Sequence, residues 1–198
     1  MIAHSRHERE EGRPIEHSAA TLPAVLQVTG LNFRYPEHEL FADWSTRIAP
    51  GITLVRGGES SGKTTLLRLL AGELQAQAGD FQIGDVNLAQ HAAAYCRQVF
   101  RVDPRSTEFD QITPLDYFKT LQGQYPAFDN QMVGELMEGL FLAPHRGKPL
   151  YMLSTGSKHK VWLTAAFAAG ATVTLLDEPF AALDKNSIDF VKKLLYDA

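Results

Sequence analysis

The most constraining feature of this sequence is a glycine-rich segment, residues 57–64, that fits the pattern G-x-x-x-x-G-K-[ST]. A short apolar run, Ile52 to Val55, precedes it, and a helix-like run, Thr65 to Ala71, follows it. Strand, glycine loop and helix in this order separate a nucleotide-binding loop from a chance match. The N–H groups of such a loop converge on phosphate oxygens, and the helix N-terminus adds partial positive charge. The segment therefore predicts a nucleoside triphosphate site.

Each position of this loop has an expected role. The residues predicted to contact the nucleotide lie in the loop and the first turn of the helix: Gly57, Gly58, Glu59, Ser60, Ser61, Gly62, Lys63, Thr64 and Thr65. Lys63 would reach the β- and γ-phosphates, and the Thr64 hydroxyl would ligate Mg²⁺. An ordinary glycine turn that caps a helix would look similar, and a second motif is needed to decide between the two interpretations.

That second motif is an apolar strand-like run, Val173 to Leu176, which ends in the carboxylates Asp177 and Glu178. An acidic residue at such a strand end holds Mg²⁺ in phosphate-loop enzymes, and we assign this role to Asp177. Glu178 is placed to orient or activate the attacking water. Since phosphoryl transfer requires mainly positioning and charge neutralisation, Lys63 and Glu178 are the predicted catalytic residues. The alternative is that the two carboxylates merely end a strand and cap the next helix.

Composition narrows the class of protein. The chain has 198 residues, enough for one good core, and its net charge of −4 argues against a broad nucleic-acid footprint. Cys96 is the only cysteine, which excludes an internal disulfide. The longest uncharged run, residues 161–176, is too short for a comfortable membrane span, and residues 1–22 contain no apolar secretory stretch. We therefore expect a soluble chain with a disordered tail at residues 1–22.

Residues 23–198 have the pattern of an α/β domain. Two extended stretches, 25–35 and 40–48, come before the glycine loop, and each ends at a turn that contains proline. The run from Ile52 to Val55 is short, apolar and bounded by turn signals, as expected of a buried central strand. These features predict a core with an antiparallel β subdomain near its N-terminus.

The residue composition of the sequence changes after this core. From about residue 104 to 155, prolines and glycines alternate with helical patches, which indicates an inserted α-helical subdomain. One patch, residues 113–121, places Pro114 in the first turn of a helix with Thr113 as its N-cap. A second patch, residues 130–142, carries apolar residues at helical spacing, and this stripe is a predicted packing face.

The segment Leu153-Ser154-Thr155-Gly156-Ser157 lies between the two phosphate-site motifs, directly before a helix-like run. It resembles the LSGGQ signature of the ATP-binding cassette (ABC) family, with Thr155 in place of the first glycine and Ser157 in place of the glutamine. Taken alone, a helix cap rich in serine, threonine and glycine would look the same. The position of the segment, upstream of the acidic doublet at Asp177, favours the resemblance.

The resemblance covers nearly the whole folded chain and implies a phosphate-loop NTPase core. In this family ATP lies between two cassettes, with the phosphate loop of one facing the signature of the other. Tyr35 then resembles the aromatic residue that stacks on adenine, although it is also typical of a tyrosine that packs at a strand edge. Ser154 and Gly156 would face the γ-phosphate. Asp184 completes a segment that resembles the family's D-loop.

Two departures from the family pattern bear on activity. The slot of a glutamine that contacts Mg²⁺ and water falls near Asp103, which we assign as a further metal ligand. The family also has a histidine about thirty residues past the acidic pair, whereas this chain ends at Ala198, twenty residues past Glu178. We therefore expect a cassette that is short at its C-terminus, and catalysis by this chain unaided stays an open question.

The leading hypothesis is an ATP-hydrolysing subunit of an ABC transporter with ATP and Mg²⁺ as cofactors. Its partners would be a second ATP-binding subunit, identical or different, and a separate transmembrane permease, and no nucleic acid. It would lie in the cytoplasm, peripherally on the inner face of the cell membrane, with the helical insertion as its docking surface. The signature variant and the compact length resemble exporter-type cassettes.

Three alternatives also fit these motifs. One is an ATP-dependent switch without a transport role. Another is a degenerate or truncated cassette that binds ATP with little turnover. A third is a plain phosphate-loop kinase, for which the resemblances to the signature and the D-loop would be coincidences.

Overall fold

The structure, a computed structural model, describes residues 24–197, so the tail predicted at residues 1–22 lies outside the described residues. In chain order the strands and helices are β1 (Leu26–Tyr35), β2 (His38–Ile48), α1 (Lys63–Leu70), β3 (Ala78–Ile83), β4 (Val86–Asn87), α2 (Ala92–Cys96), β5 (Val99–Arg101), α3 (Pro114–Gln124), α4 (Asn130–Gly139), α5 (Thr155–Ala168), β6 (Val173–Leu175) and α6 (Lys185–Asp197). Short 3₁₀ turns lie at Ala143–His145 and Leu150–Met152. Among residues 24–197, no helix is both long and apolar enough to cross a membrane.

The first four strands form an antiparallel sheet in the order β2-β1-β3-β4, which confirms the predicted N-terminal β subdomain. On β1, Leu26 and Val28 are buried at a period of two, as in a strand with one face on the core. An irregularity at Gly30, where φ is 61°, shifts this alternation, so that Leu31 and Phe33 are also buried. The same core includes the buried leucines of α1, namely Leu66, Leu69 and Leu70.

Strands β5 and β6 form a separate parallel pair, with Val99 opposite Val173 and Arg101 opposite Leu175. The carboxyl ends of parallel strands meet at one edge, where open α/β sheets bind their ligands. Asp177 and its neighbours follow β6 at that edge.

The helices α3, α4 and α5 build a second core. Tyr117 of α3 meets Trp162 of α5 edge to face, with ring centroids 5.0 Å apart. Helix α3 begins as the sequence predicts, because the Thr113 hydroxyl accepts the Asp116 N–H at 3.2 Å and Pro114 is the first helical residue. Both α3 and α4 lie within the region predicted to be a helical insertion.

The predicted central strand at Ile52 to Val55 is wrong. This segment has no regular secondary structure, and within residues 24–197 its backbone makes no hydrogen bond to another backbone group. Ile52 is 62% exposed and Leu54 is 69% exposed. Apolar composition favours a strand, but a strand also requires a neighbour that presents unpaired N–H and C=O groups. In the described part of the chain, β6 pairs only with β5 and does not provide that neighbour.

Candidate functional site

A cleft of about 450 Å³ opens between the glycine loop, the β1–β2 hairpin and the end of β6. Its lining residues come from three separate stretches of chain: Tyr35, His38, Leu40, Glu59, Ser60, Ser61, Gly62, Lys63, Thr64, Thr65, Asp177 and Glu178. All of them except His38 and Leu40 belong to the predicted site. The volume lies within the range of roughly 300–1,000 Å³ that is typical of small-molecule pockets.

The glycine loop curls around the ammonium group of Lys63. Lys63 Nζ donates hydrogen bonds to the carbonyl oxygens of Gly57, at 2.9 Å, and Gly58, at 2.6 Å. Ser60 and Gly62, with φ of 57° and 86°, adopt left-handed conformations that turn the chain into α1. A Cβ at Gly57 would lie only 2.4 Å from Ser61 Oγ. The result is a cation inside a loop at a helix N-terminus, which is an arrangement that binds anions.

Thr64 and Asp177 meet across the cleft. The Thr64 hydroxyl donates to Asp177 Oδ2 at 2.6 Å, although the two residues lie 113 positions apart in the sequence. Mg²⁺ in nucleotide sites is held by one or two carboxylates together with substrate phosphates and water, and hydroxyl and carboxylate oxygens are suitable hard ligands. Within residues 24–197 no cluster of three or more His, Cys, Asp or Glu forms a self-sufficient metal site. The Thr64–Asp177 pair fits Mg²⁺ that arrives with a nucleotide.

Glu178 lies beside this pair in a strained backbone conformation. Its φ is 47°, in the left-handed region that residues other than glycine rarely adopt, and its side chain is exposed at the cleft. Such strain costs of order 1–3 kcal/mol and is concentrated at functional sites. The strained turn places the two neighbouring carboxylates, Asp177 and Glu178, on the same cleft wall.

The mouth of the cleft is formed by the β1–β2 hairpin. The Tyr35 hydroxyl lies 3.2 Å from Thr65 Oγ1, and its ring is in edge contact with Phe33. The residue as a whole is 41% exposed, which leaves it accessible to a ligand. Sequence reasoning missed His38 and Leu40. The signal that could have found them is the two-residue period of β2, which places both side chains on one face of the sheet opposite the end of β1.

The signature-like residues lie outside this cleft and are close to one another. Ser154 caps α5, since its hydroxyl oxygen accepts the Ser157 N–H at 3.1 Å. Gly156 packs against the loop after β6, where a Cβ would be 2.5 Å from the Ala182 carbonyl oxygen. Asp184 follows that loop and accepts a hydrogen bond from Lys160 Nζ at 2.6 Å. This contact, followed by hydrogen bonds from Ser187, holds the pKa of the Asp184 carboxyl well below its usual range.

Asp103 is the one predicted metal ligand that is not placed beside Thr64 and Asp177. It is not among the residues that line the cleft, and its Oδ1 accepts the Arg105 N–H at 2.9 Å within its own loop. An aspartate followed two residues later by a free N–H favours such a local turn. In this conformation the Asp103 carboxylate therefore stabilises its own loop.

Comparison with known proteins gives a consistent result. A family model described as ABC transporter matches residues 42–181. The cytochrome c biogenesis ATP-binding export protein CcmA of Pseudomonas savastanoi pv. phaseolicola is 31% identical, over 84% of this chain and 78% of that protein. The manganese transport system ATP-binding protein MntA of Synechocystis sp. is 31% identical, over 89% of this chain and 73% of that protein. The ATP-binding protein Uup of Caulobacter vibrioides is 30% identical over 92% of this chain, which spans only 29% of Uup.

Solved structures share the fold. The ATP-binding subunit of an ABC transporter superposes with a TM-score of 0.71 at 19% identity, over 87% of this chain and 74% of that chain. The cbiO1 protein of Clostridium perfringens, part of the ABC transporter complex cbiONQ, superposes with a TM-score of 0.65 at 21% identity, over 88% and 73% of the two chains.

Proposed function

This chain belongs to the ABC transporter family, and from that premise we propose that it is the ATP-binding and ATP-hydrolysing subunit of a transporter. In this proposal, ATP-driven dimerisation of two such subunits is coupled to substrate movement by a membrane partner. The observation that carries it is the 2.6 Å contact between Thr64 and Asp177 inside the cleft of the glycine loop. It joins the two sequence motifs that phosphoryl-transfer chemistry requires.

In this proposal each residue of the cleft has a separate role in binding ATP. Lys63 exchanges the loop carbonyls for the β- and γ-phosphates, and the N–H groups of residues 58–65 donate to phosphate oxygens. Tyr35 stacks on the adenine base. Thr64 and Asp177 would hold Mg²⁺, and the ion would supply positive charge that neutralises the phosphates.

Glu178 orients or activates the water that attacks the terminal phosphoryl group. Its carboxylate is exposed to the cleft and adjacent to Asp177, so it can accept a hydrogen bond from a water in line with the terminal phosphoryl group. Lys63 stabilises the charge that spreads over the phosphoryl oxygens as the bond to the leaving group breaks.

The second subunit completes the site. Ser154 and the N-terminus of α5 are exposed and lie outside the cleft, which leaves them available to the γ-phosphate bound by a partner cassette. CcmA carries export in its name, MntA manganese transport, and cbiO1 belongs to a transporter complex. By analogy, the membrane permease of this chain determines cargo and direction, with export supported by the CcmA likeness.

A second candidate function is an ATP-dependent switch with little turnover. Two observations favour it: Asp103 is engaged in its own loop, and Uup is named only as an ATP-binding protein. The two candidates bind ATP in the same cleft, and they differ in the rate at which it is hydrolysed.

ATP binding is tested with Lys63→Ala. We expect the variant to lose measurable heat when MgATP is titrated into the folded chain by calorimetry, because the phosphates lose their cation. Lys193→Ala, which removes an exposed lysine on α6, is the matched control and should bind as the wild type does. Equal binding by all three proteins would show that the glycine loop is not the site.

Turnover and dimerisation are tested with Glu178→Gln. Loss of a positioned base slows hydrolysis by about 100-fold or more while ATP binding is retained. We therefore expect a stable MgATP-bound dimer in light scattering, whereas Glu138→Gln on α4 leaves hydrolysis unchanged. A variant that binds ATP and stays monomeric would contradict the two-cassette arrangement. A wild type that binds ATP and does not hydrolyse it, alone or with its permease, would favour the switch.

A further inference from the structure

We propose that His38 is a second nucleoside-contacting residue, which forms with Tyr35 a two-ring platform that selects purine nucleotides. The inference rests on the proposed function, since it concerns which nucleoside triphosphate the same cleft accepts. No motif in the sequence assigns a role to His38.

The β1–β2 hairpin places the two rings side by side. Tyr35 and His38 are directly opposite one another in the antiparallel register, across the turn Pro36-Glu37. Residues directly opposite in such a pair point to one face of the sheet, with Cβ atoms about 4.5–5.5 Å apart. Both residues line the cleft and both are exposed. The phenol and the imidazole therefore occupy the same wall.

The platform lies where a nucleoside would extend from bound phosphates. The Tyr35 hydroxyl is 3.2 Å from Thr65 Oγ1, in the first turn of α1, so the wall begins beside the phosphate loop. Leu40, two residues further along β2, packs on Gly62 of that loop and fixes the hairpin against it. A triphosphate in the loop directs its nucleoside towards Tyr35 and His38.

The chemistry of the imidazole adds to that of the phenol. Its flat face stacks on a base, and its ring nitrogens donate and accept hydrogen bonds to base or ribose groups. A bicyclic purine covers two neighbouring rings more fully than a single-ring pyrimidine. His38 is thus expected to favour ATP and GTP over CTP and UTP.

Calorimetry of the full chain with two probes separates this role from phosphate binding. We expect His38→Ala to weaken MgATP about 10-fold, the loss typical of one stacked base contact. Binding of magnesium tripolyphosphate, which has no nucleoside, should stay within about 2-fold of the wild type by the same reasoning. The ratio of ATP to CTP affinity should fall in this variant.

Two further variants define the outcome. His38→Phe retains a flat ring and should recover most of the ATP affinity if stacking dominates, and His91→Ala, at an exposed histidine before α2, should change nothing. The proposal is overturned if His38→Ala binds MgATP as the wild type does, or if it weakens ATP and tripolyphosphate equally. If instead Lys63→Ala leaves both ligands bound, the proposed function itself fails.

Discussion

Single residues at this site adopt backbone conformations that few side chains tolerate. In the described part of the chain, three residues other than glycine have left-handed φ within the cleft or the loop after β6: Ser60 at 57°, Glu178 at 47° and Ala182 at 57°. Such conformations cost of order 1–3 kcal/mol each and persist where the surroundings over-determine them. Here the surroundings are the glycine loop and the turn that places both carboxylates, so the strained residues coincide with the candidate site.

His159 of α5 lies against that strained turn. It is 8% exposed on α5, and burial lowers the pKa of its imidazole, against the opposing effects of a hydrogen bond to the Pro179 backbone and the Glu178 charge. The folded state therefore binds fewer protons than the unfolded state once the pH falls below the ordinary histidine pKa of 6.5. The free energy of unfolding then decreases with falling pH, down to the lowered pKa of the folded state.

We expect His159→Gln to remove this part of the pH dependence. The wild type should lose Tm more steeply than the variant between pH 6.5 and pH 5, and the two slopes should agree above pH 7.5, where the imidazole is neutral in both states. Thermal unfolding followed by circular dichroism across this range measures the difference. Identical acid slopes would assign the loss of stability to other groups.

At the scale of elements, α5 is held by both loops that leave the parallel strands. Lys158 pairs with Asp110, after β5, at 2.5 Å, and Lys160 pairs with Asp184, after β6, at 2.6 Å. The first pair is largely buried, with side-chain exposures of 21% and 18%. The signature-like turn begins this helix, so two ion pairs tie the N-terminal part of α5 to both loops.

Gly156, at the start of the same helix, also packs closely on the loop after β6, and this packing is testable. A Cβ there would lie 2.5 Å from the Ala182 carbonyl oxygen, so Gly156→Ala forces the helix away from the loop, at a cost of about 1–3 kcal/mol as for other overpacking. Gly134→Ala in α4 is the control: no atom lies within 4 Å of its added Cβ, and a helical alanine gains about 1 kcal/mol. Denaturant unfolding compares the two. Opposite signs are expected, and a stabilised Gly156→Ala would contradict the close packing.

The elements also show what local sequence can and cannot specify. Helix α3 was predictable because Thr113 and Pro114, two adjacent residues, carry its start signal. The glycine loop was predictable because all residues of its pattern are contiguous in the sequence. Asp103 was assigned as a metal ligand from its position in the sequence alone. In the structure its carboxylate instead accepts the nearby Arg105 N–H. His38 was missed because it lies outside the stretch predicted to be extended, residues 40–48. Its pairing with Tyr35 extends β2 back to His38, and only then does the two-residue period of the strand include it.

At the scale of the whole molecule, two separate cores meet at the candidate site. One core packs the antiparallel sheet with α1, and the other packs α3, α4 and α5. Thr64 belongs to the helix of the first core. Asp177 follows β6, whose Leu175 is buried in that same core, while the adjacent Leu176 packs against the second. A ligand that contacts both Thr64 and Asp177 binds only the folded chain and is therefore expected to stabilise it by mass action.

The run from Ile52 to Val55 is exposed in the structure, and substitution of its leucine tests this placement. It is a largely apolar segment without regular secondary structure, and within residues 24–197 its backbone makes no hydrogen bond to another backbone group. Exposed apolar segments of this kind favour aggregation. Leu54, at 69% exposure, should therefore tolerate Leu54→Ala with a change in unfolding free energy below about 0.5 kcal/mol, and aggregation should decrease. Leu69→Ala, at a fully buried leucine of α1, should cost about 2–5 kcal/mol.

Urea unfolding measures the loss of unfolding free energy in both variants, and light scattering measures their aggregation. If Leu54→Ala costs as much free energy as Leu69→Ala, then the segment is buried in solution, as its apolar pattern alone predicts. The prediction of a central strand would then be correct and the exposed conformation would not be the dominant one. A small cost combined with reduced scattering would establish instead that strand pairing, and not apolar composition, decides where this chain places its sheet.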